Sequence, residues 1–309
     1  MKIFDLHCDT IEELREHDEN FEHHHRQFDI YDIQEYTAGV QTMAVFVPDN
    51  IRGQAAKNFV DDYYHYMNDA VSKVPHFAEM IENVEDIERI TSKHKWAFLR
   101  SIESGACFNR NLDNINHFAS LNFKICGLVW NGPNELGSGP NTKIGLTDFG
   151  KSAVKRMEEV GMIVDCSHLN DAGFQDLLEI AEKPFIASHS NIRTCCNHLR
   201  NLTDEQFTEI VRRKGLCGIN LFSKFLDIDN QRTKESIFRH IYHMLELGGE
   251  NIIAWGTDFD GDITVAPGLE HPRGLIQFAD YLLKMGIKEA IINKLYFENA
   301  YQFFKKNLK

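Results

Sequence analysis

The chain has 309 residues, 43% of them hydrophobic, which is enough to bury a full core and excludes general disorder. Lys and Arg number 33 against 46 Asp and Glu, a formal net charge of -13. Such an acidic surface repels nucleic acid and anionic membrane, and no basic arm offsets it, so small or zwitterionic substrates fit better than polyanions.

Short apolar runs recur along the chain, many followed by a helical pattern. Residues 3–6 read as a first strand. Residues 40–47 read as a second, stopping at Pro48, with a helix over 56–71. Residues 96–102 give a third strand and 125–130 a fourth. The loop NGPNELGSGPN follows, too polar and too broken for a regular element. A helix over 147–160 is capped by Thr147 or Asp148. Residues 161–166, 184–188, 216–221 and 252–256 read as strands five to eight. Helices fall between them at 170–181, 203–213 (with a Thr203/Gln206 capping box) and 234–247. The tail from 274 to 304 is helical in two pieces.

Eight short buried strands alternating with helices favour a closed parallel (β/α)₈ TIM barrel. A doubly wound sheet is the alternative architecture. No repeat or linker marks a second domain, so 1–309 reads as one. The N-terminus MKIFDLHCDT has no long apolar stretch and no run crosses a membrane, so a cytoplasmic protein starting near Met1 is expected. Seven scattered cysteines read as reduced thiols. The His23-His24-His25 run, beside Asp18, Glu19 and Glu22, reads as a solvated loop.

The informative pattern is where donor residues fall. Strand one ends in Asp5-Leu6-His7-Cys8-Asp9 and strand three in Ile102-Glu103-Ser104-Gly105. Strand five ends in Asp165-Cys166-Ser167-His168, strand six in Ser188-His189-Ser190-Asn191, and strand eight in Gly256-Thr257-Asp258-Phe259-Asp260. In a barrel these ends converge on one mouth. His7 and Asp9, two apart on an extended stretch, are expected on one face. Singly, His168 or His189 could be a structural histidine, and Glu103 could cap a helix or bind an arginine. Jointly, His7, Asp9, Glu103, His168 and His189 suit a pair of divalent ions, with Glu103 as the bridge and a metal-activated water as nucleophile. Asp258 is the remaining acid-base group, or a sixth ligand.

The blocks FDLHCDT, SIESG, VDCSH, ASHSNIR, HLRNLTD and GTDFDG, in this order and spacing, resemble the membrane (renal) dipeptidase family, metallopeptidases of the amidohydrolase superfamily. The resemblance covers nearly the whole chain. It implies two zinc ions, His7 and Asp9 on the first, His168 and His189 on the second, and Glu103 between them. It implies dipeptide hydrolysis by a hydroxide shared between the metals, often with a D-residue on the C-terminal side. Arg200, in HLRN, would hold the substrate carboxylate as a bidentate fork, its plain alternative being a surface ion pair. Asp258 would lie near the substrate amino group and the attacked carbon.

Trp130 stands where the family often has a histidine that contacts the substrate carbonyl. It is expected to donate to the oxyanion, to wall the pocket, or to sit in the core. Targeting segments like those of the family's secreted animal members are not expected here. A related zinc amidohydrolase acting on N-acyl amino acids or other small amides is the alternative enzyme, and a catalytically silent metal-binding scaffold the non-enzymatic one. A homodimer is the default assembly.

Overall fold

The computed structural model describes residues 1–308. Nine parallel strands run in chain order: β1 (Lys2–Cys8), β2 (Ala38–Phe46), β3 (Ala78–Met80), β4 (Trp96–Glu103), β5 (Phe123–Gly127), β6 (Ile163–Asp165), β7 (Ile186–Ala187), β8 (Leu216–Ile219) and β9 (Ile253–Trp255). Eight close into a barrel in the order β1, β2, β4, β5, β6, β7, β8, β9, and β1–β9 pairing completes the ring. The closed barrel therefore holds and the doubly wound alternative falls.

β3 is the strand the sequence did not announce. It pairs with the first three residues of β4, Ala78 opposite Trp96, on the edge that β5 takes over from Arg100. Three residues carry no readable alternation. The barrel strands from β5 onward are also shorter than expected. The fourth ends at Gly127, so Trp130 lies three residues beyond it rather than at its end.

The inside of the barrel is dry at its lower end. Phe4 and Leu6, Val40, Ala97 and Leu99, Ile125, Ile163, Ile186, Leu216 and Ala254 form one buried cluster with a contribution from every barrel strand. Phe303 and Phe304 of the C-terminal helix (Asn299–Asn307) close it from below, with Phe304 stacked on Phe4 at 5.0 Å. The other strand faces pack on the surrounding helices through a second cluster that includes Trp96, Phe98, Met43 and Trp255. Interiors of this kind are packed cores, which leaves the upper mouth as the place for chemistry.

The helices start where their side chains satisfy the free N–H groups. Thr147, not Asp148, caps Asp148–Val160 by accepting from Gly150 N. Asn170 caps Asp171–Ile180, and Thr203 and Gln206 form the expected capping box on Asp204–Arg213. The tail divides into Pro272–Lys284 and a second helical stretch from Glu289 to Asn307 that passes through one wide turn, Lys294–Glu298. All seven cysteines are free. No helix among the described residues is long and apolar enough to cross a membrane.

Candidate metal centre and substrate pocket

Alternation along β4 places Ala97 and Leu99 inward, so Ser101 and Glu103 follow on the same face. Glu103 thus emerges at the mouth as the last inward residue of its strand. His7 arrives differently. Phe4 and Leu6 point inward, which would turn His7 out, but the β1–β2 register slips by one residue between Asp5 and Cys8. This bulge sends Cys8 outward onto Met43 and turns His7 to the mouth. Asp9 has already left the strand, with φ −105° and ψ 12°. The two do converge, with His7 Nε2 3.5 Å from Asp9 Oδ2. A bulge and a turn bring this about, not the regular extended spacing expected.

All five predicted metal-binding residues and Asp258 come together. His7 Nε2 lies 3.4 Å from Glu103 Oε2 and 3.7 Å from Asp258 Oδ1. On the other side His168 Nε2 lies 2.8 Å, and His189 Nε2 3.7 Å, from Glu103 Oε1. The donors fall into the sets His7, Asp9, Glu103 and Glu103, His168, His189, so that Glu103 offers one oxygen to each. Asp258 also gathers with His7 and His189, which keeps ligation open to it beside acid-base work.

The orientation of these rings is imposed from outside the cluster. His168 Nδ1 donates to Asn131 Oδ1 at 3.1 Å. His189 Nδ1 donates to Ser188 Oγ at 2.8 Å, and that hydroxyl donates in turn to Asp165 Oδ2 at 2.5 Å. Each imidazole is thereby fixed with its Nε2 lone pair facing inward. Asn220 Nδ2 holds Asp258 Oδ2 at 2.9 Å, leaving Oδ1 toward the centre. His168 and Asp258 both adopt left-handed backbone, φ 69° and 65°, a strain that functional sites concentrate. The mouth is tight beneath them. A Cβ on Gly218 or Gly256 would come within 1.9 or 1.8 Å of Ser188 O, so only glycine lets the end of β7 swing inward.

Electrostatics single out the same groups. Burial acts against charge on Glu103, but the charge of His7 overcomes it and holds the carboxyl well below its usual range. Burial would lower His7, yet Asp9 and Glu103 raise it well above the ordinary value. Burial and the Arg200 charge push His168 down to about 4, and burial with His7 takes His189 well below its usual range, so both are neutral donors near pH 7. Burial raises Asp9 to about 7 and Asp258 to about 6. Without a cation the cluster is incomplete: buried His7 Nε2 and Asp9 Oδ1 have no hydrogen-bond partner. The donor set of imidazoles and carboxylates suits a borderline divalent ion.

A cavity of about 390 Å³ opens above the cluster. Arg200 lines it, 6% exposed, with its Nε unpartnered, one N–H on His189 O at 3.4 Å and its guanidinium over Phe225. It is a buried cation without a carboxylate partner among the described residues, not the surface ion pair weighed as its alternative. Trp130 is half-buried in the pocket wall, edge-on to Phe46 at 4.7 Å between ring centres and 6.3 Å from His168. It is not a core tryptophan.

The family model of membrane dipeptidase, peptidase family M19, matches residues 1–308. The chain belongs to this dipeptidase family. Its curated relatives include an uncharacterized protein in the pqqA 5′ region of Klebsiella pneumoniae, 32% identical over 232 residues that span 71% of this chain and 85% of that protein. Another, in the PQQ-III 3′ region of Acinetobacter calcoaceticus, is 31% identical over 176 residues, 53% of this chain and 56% of that one. Among solved structures, the M19 metallopeptidase dipeptidase AC superposes with a TM-score of 0.92 at 25% identity, over 99% of this chain and 98% of its own. A Rhodobacter sphaeroides metallopeptidase, solved with a phosphinate mimic of L-Ala-D-Ala, shares the fold at TM-score 0.92 and 24% identity, over 99% of both chains.

In this dipeptidase-family barrel, several residues about the centre escaped sequence reasoning. Asp165 and Ser188 stand in the quoted strand ends, but only their contacts reveal a positioning role. Asn131 lies in the glycine-rich loop and Asn220 directly after β8, where a polar residue ending an apolar run was the available signal. Glu12 was missed altogether. It is buried, lines the pocket, and burial raises its carboxyl well above the usual range.

Proposed function

We propose that this member of the dipeptidase family hydrolyses dipeptides with two divalent ions, zinc by preference, the first held by His7 and Asp9, the second by His168 and His189, and Glu103 between them. The observation that carries the reading is the sharing of Glu103: one oxygen faces His7 and the other faces His168, and buried donors on the first side have no other partner. Bound there, divalent ions supply a nucleophilic oxygen at neutral pH and a Lewis acid for the scissile carbonyl.

The chain's own groups do the rest. Arg200 binds the free C-terminal carboxylate, which sets the scissile bond over the cluster. Asp258 Oδ1, the oxygen that Asn220 leaves free, pairs with the substrate ammonium. It takes up the proton of the attacking water and delivers it to the leaving amine. Trp130 and Phe46 wall the pocket and keep bulk water off the reacting atoms. The L-Ala-D-Ala mimic held by the Rhodobacter sphaeroides protein motivates acceptance of a C-terminal D-residue.

The test is turnover by zinc-loaded protein of L-L dipeptides, L-D dipeptides and N-acyl amino acids with matched C-terminal residues. Dipeptides, including some L-D pairs, should be cleaved faster than N-acyl compounds. Preference for the N-acyl series would transfer the protein to the amidohydrolase alternative.

A further inference from the structure

The pocket is electrically lopsided. In the ring of eight strands β7 lies opposite β2. Arg200, which follows β7, is the single Lys or Arg among the lining residues. Across the mouth, the helix Thr10–Glu16 that follows β1 carries Glu12, which lines the pocket together with Phe46. Glu12 is 6% exposed, and its Oε1 has no hydrogen-bond partner.

Its acidic neighbours are accounted for differently. Glu13 pairs with Arg26, and Asp260 accepts from Thr10 Oγ1, Gln27 N and Phe28 N, so both are structural. Glu16 and Asp262 are exposed at the rim and have no ion-pair partner among the described residues. Nor is Glu12 one of the gathered metal donors. A buried carboxyl oxygen with no partner is expensive unless something supplies the missing contact, and a cation beside it would favour the charged form that burial opposes. The residue lines the substrate cavity.

We propose that Glu12 is a specificity residue, and that the preferred substrates are dipeptides with a cationic side chain, arginyl or lysyl, on the N-terminal residue. The inference rests on the dipeptidase reading. With the C-terminal carboxylate on Arg200 and the α-ammonium on Asp258, the N-terminal side chain runs toward the Phe46–Trp130 wall. Its methylenes pack on those rings, and its charged end reaches Glu12, with Glu16 and Asp262 adding negative potential at the rim. A guanidinium or ammonium there gives the Glu12 carboxyl a charged donor.

The experiment compares kcat/KM for arginyl-alanine with citrullyl-alanine, and lysyl-alanine with norleucyl-alanine, in wild type and Glu12→Gln. Citrulline keeps the shape of arginine without its charge, and norleucine keeps the four side-chain carbons of lysine without its ammonium. Wild type should favour the cationic member by roughly 10–100-fold, the range for one hydrogen bond to a charged group, and Glu12→Gln should bring the ratio close to one. A wild-type ratio near one overturns the inference without any variant. A ratio unchanged in Glu12→Gln overturns the role of Glu12. Alanyl-alanine, run in parallel on wild type, separates the two levels. Its turnover without cationic preference defeats this inference alone, whereas no turnover of any dipeptide defeats the dipeptidase reading and this inference with it.

Discussion

The Nε2 atoms of His168 and His189 face each other at 3.0 Å, and neither has a proton to give the other. Both Nδ1 atoms already donate, to Asn131 and to Ser188, so two lone pairs converge on one point beside Glu103 Oε1. Such an arrangement is repulsive until a cation lies between the lone pairs. Its neutral state is secured by burial, which keeps both rings below their ordinary titration range.

Ser188→Ala removes the hydroxyl that links His189 to Asp165 and frees the ring to rotate. Zinc affinity should fall by roughly 10–100-fold, as for other residues that orient a metal-binding histidine, while the fold persists. Competition with a chromogenic chelator reads this directly. An unchanged dissociation constant would show that the Asp165–Ser188–His189 chain has no hold on the metal.

Arg200→Ala should weaken kcat/KM for dipeptides with a free C-terminal carboxylate by roughly 10–1,000-fold, since a charge-assisted fork of two bonds is lost. C-terminally amidated dipeptides should lose much less. Equal losses on both would assign Arg200 to structure, through its contacts with His189 O and Phe225.

Trp130 stands in the pocket wall, and its edge contact with Phe46 favours a steric role over that of an oxyanion donor. Trp130→Phe should leave kcat nearly intact, and Trp130→Ala should broaden the accepted side chains. If Trp130→Phe instead lowers kcat by roughly 10²–10³-fold with little change in KM, the indole N–H is a donor to the transition state.

Acid sensitivity has a source away from the centre. His240 is fully buried, accepts from Ile192 N at Nδ1 and donates from Nε2 to Leu226 O, at 3.1 and 3.0 Å. Burial lowers its pKa to about 4, against an ordinary 6.5. The unfolded chain therefore binds a proton that the folded chain refuses, and stability falls as pH drops from about 6.5 toward 4. At pH 5 this amounts to about 2 kcal/mol. In urea unfolding of metal-free protein, the stability lost between pH 7 and pH 5 should be smaller in His240→Gln than in wild type by about 2 kcal/mol. Identical pH dependence in the two would remove His240 from the acid response.

Much of this was legible in the sequence because barrel strands are continuous apolar runs and because donor residues end them. Residues at strand ends, Glu103 above all, could be placed by alternation alone. His7 and Asp9 were paired correctly on the wrong geometry, since a bulge cannot be read from a two-residue spacing. β3 was too short to show a period, and Trp130 was assigned to a strand that stops three residues earlier. Asn131, Ser188 and Asn220 act only through partners brought from other segments, which no local pattern reveals. Glu12 reads as an ordinary acidic helix position until the fold buries it.

The most direct test of the shared-carboxylate centre is metal stoichiometry against activity. Chelator-stripped wild type is titrated with zinc, and bound zinc per chain is followed together with dipeptide turnover; Glu103→Gln is treated alongside. Wild type should bind two ions per chain and reach full turnover only as the second site fills. Glu103→Gln, which keeps the size but loses the charge facing both donor sets, should bind the pair weakly and show almost no turnover. Full activity of wild type with one ion or none, or wild-type rates in Glu103→Gln with both ions bound, would contradict a centre built on Glu103.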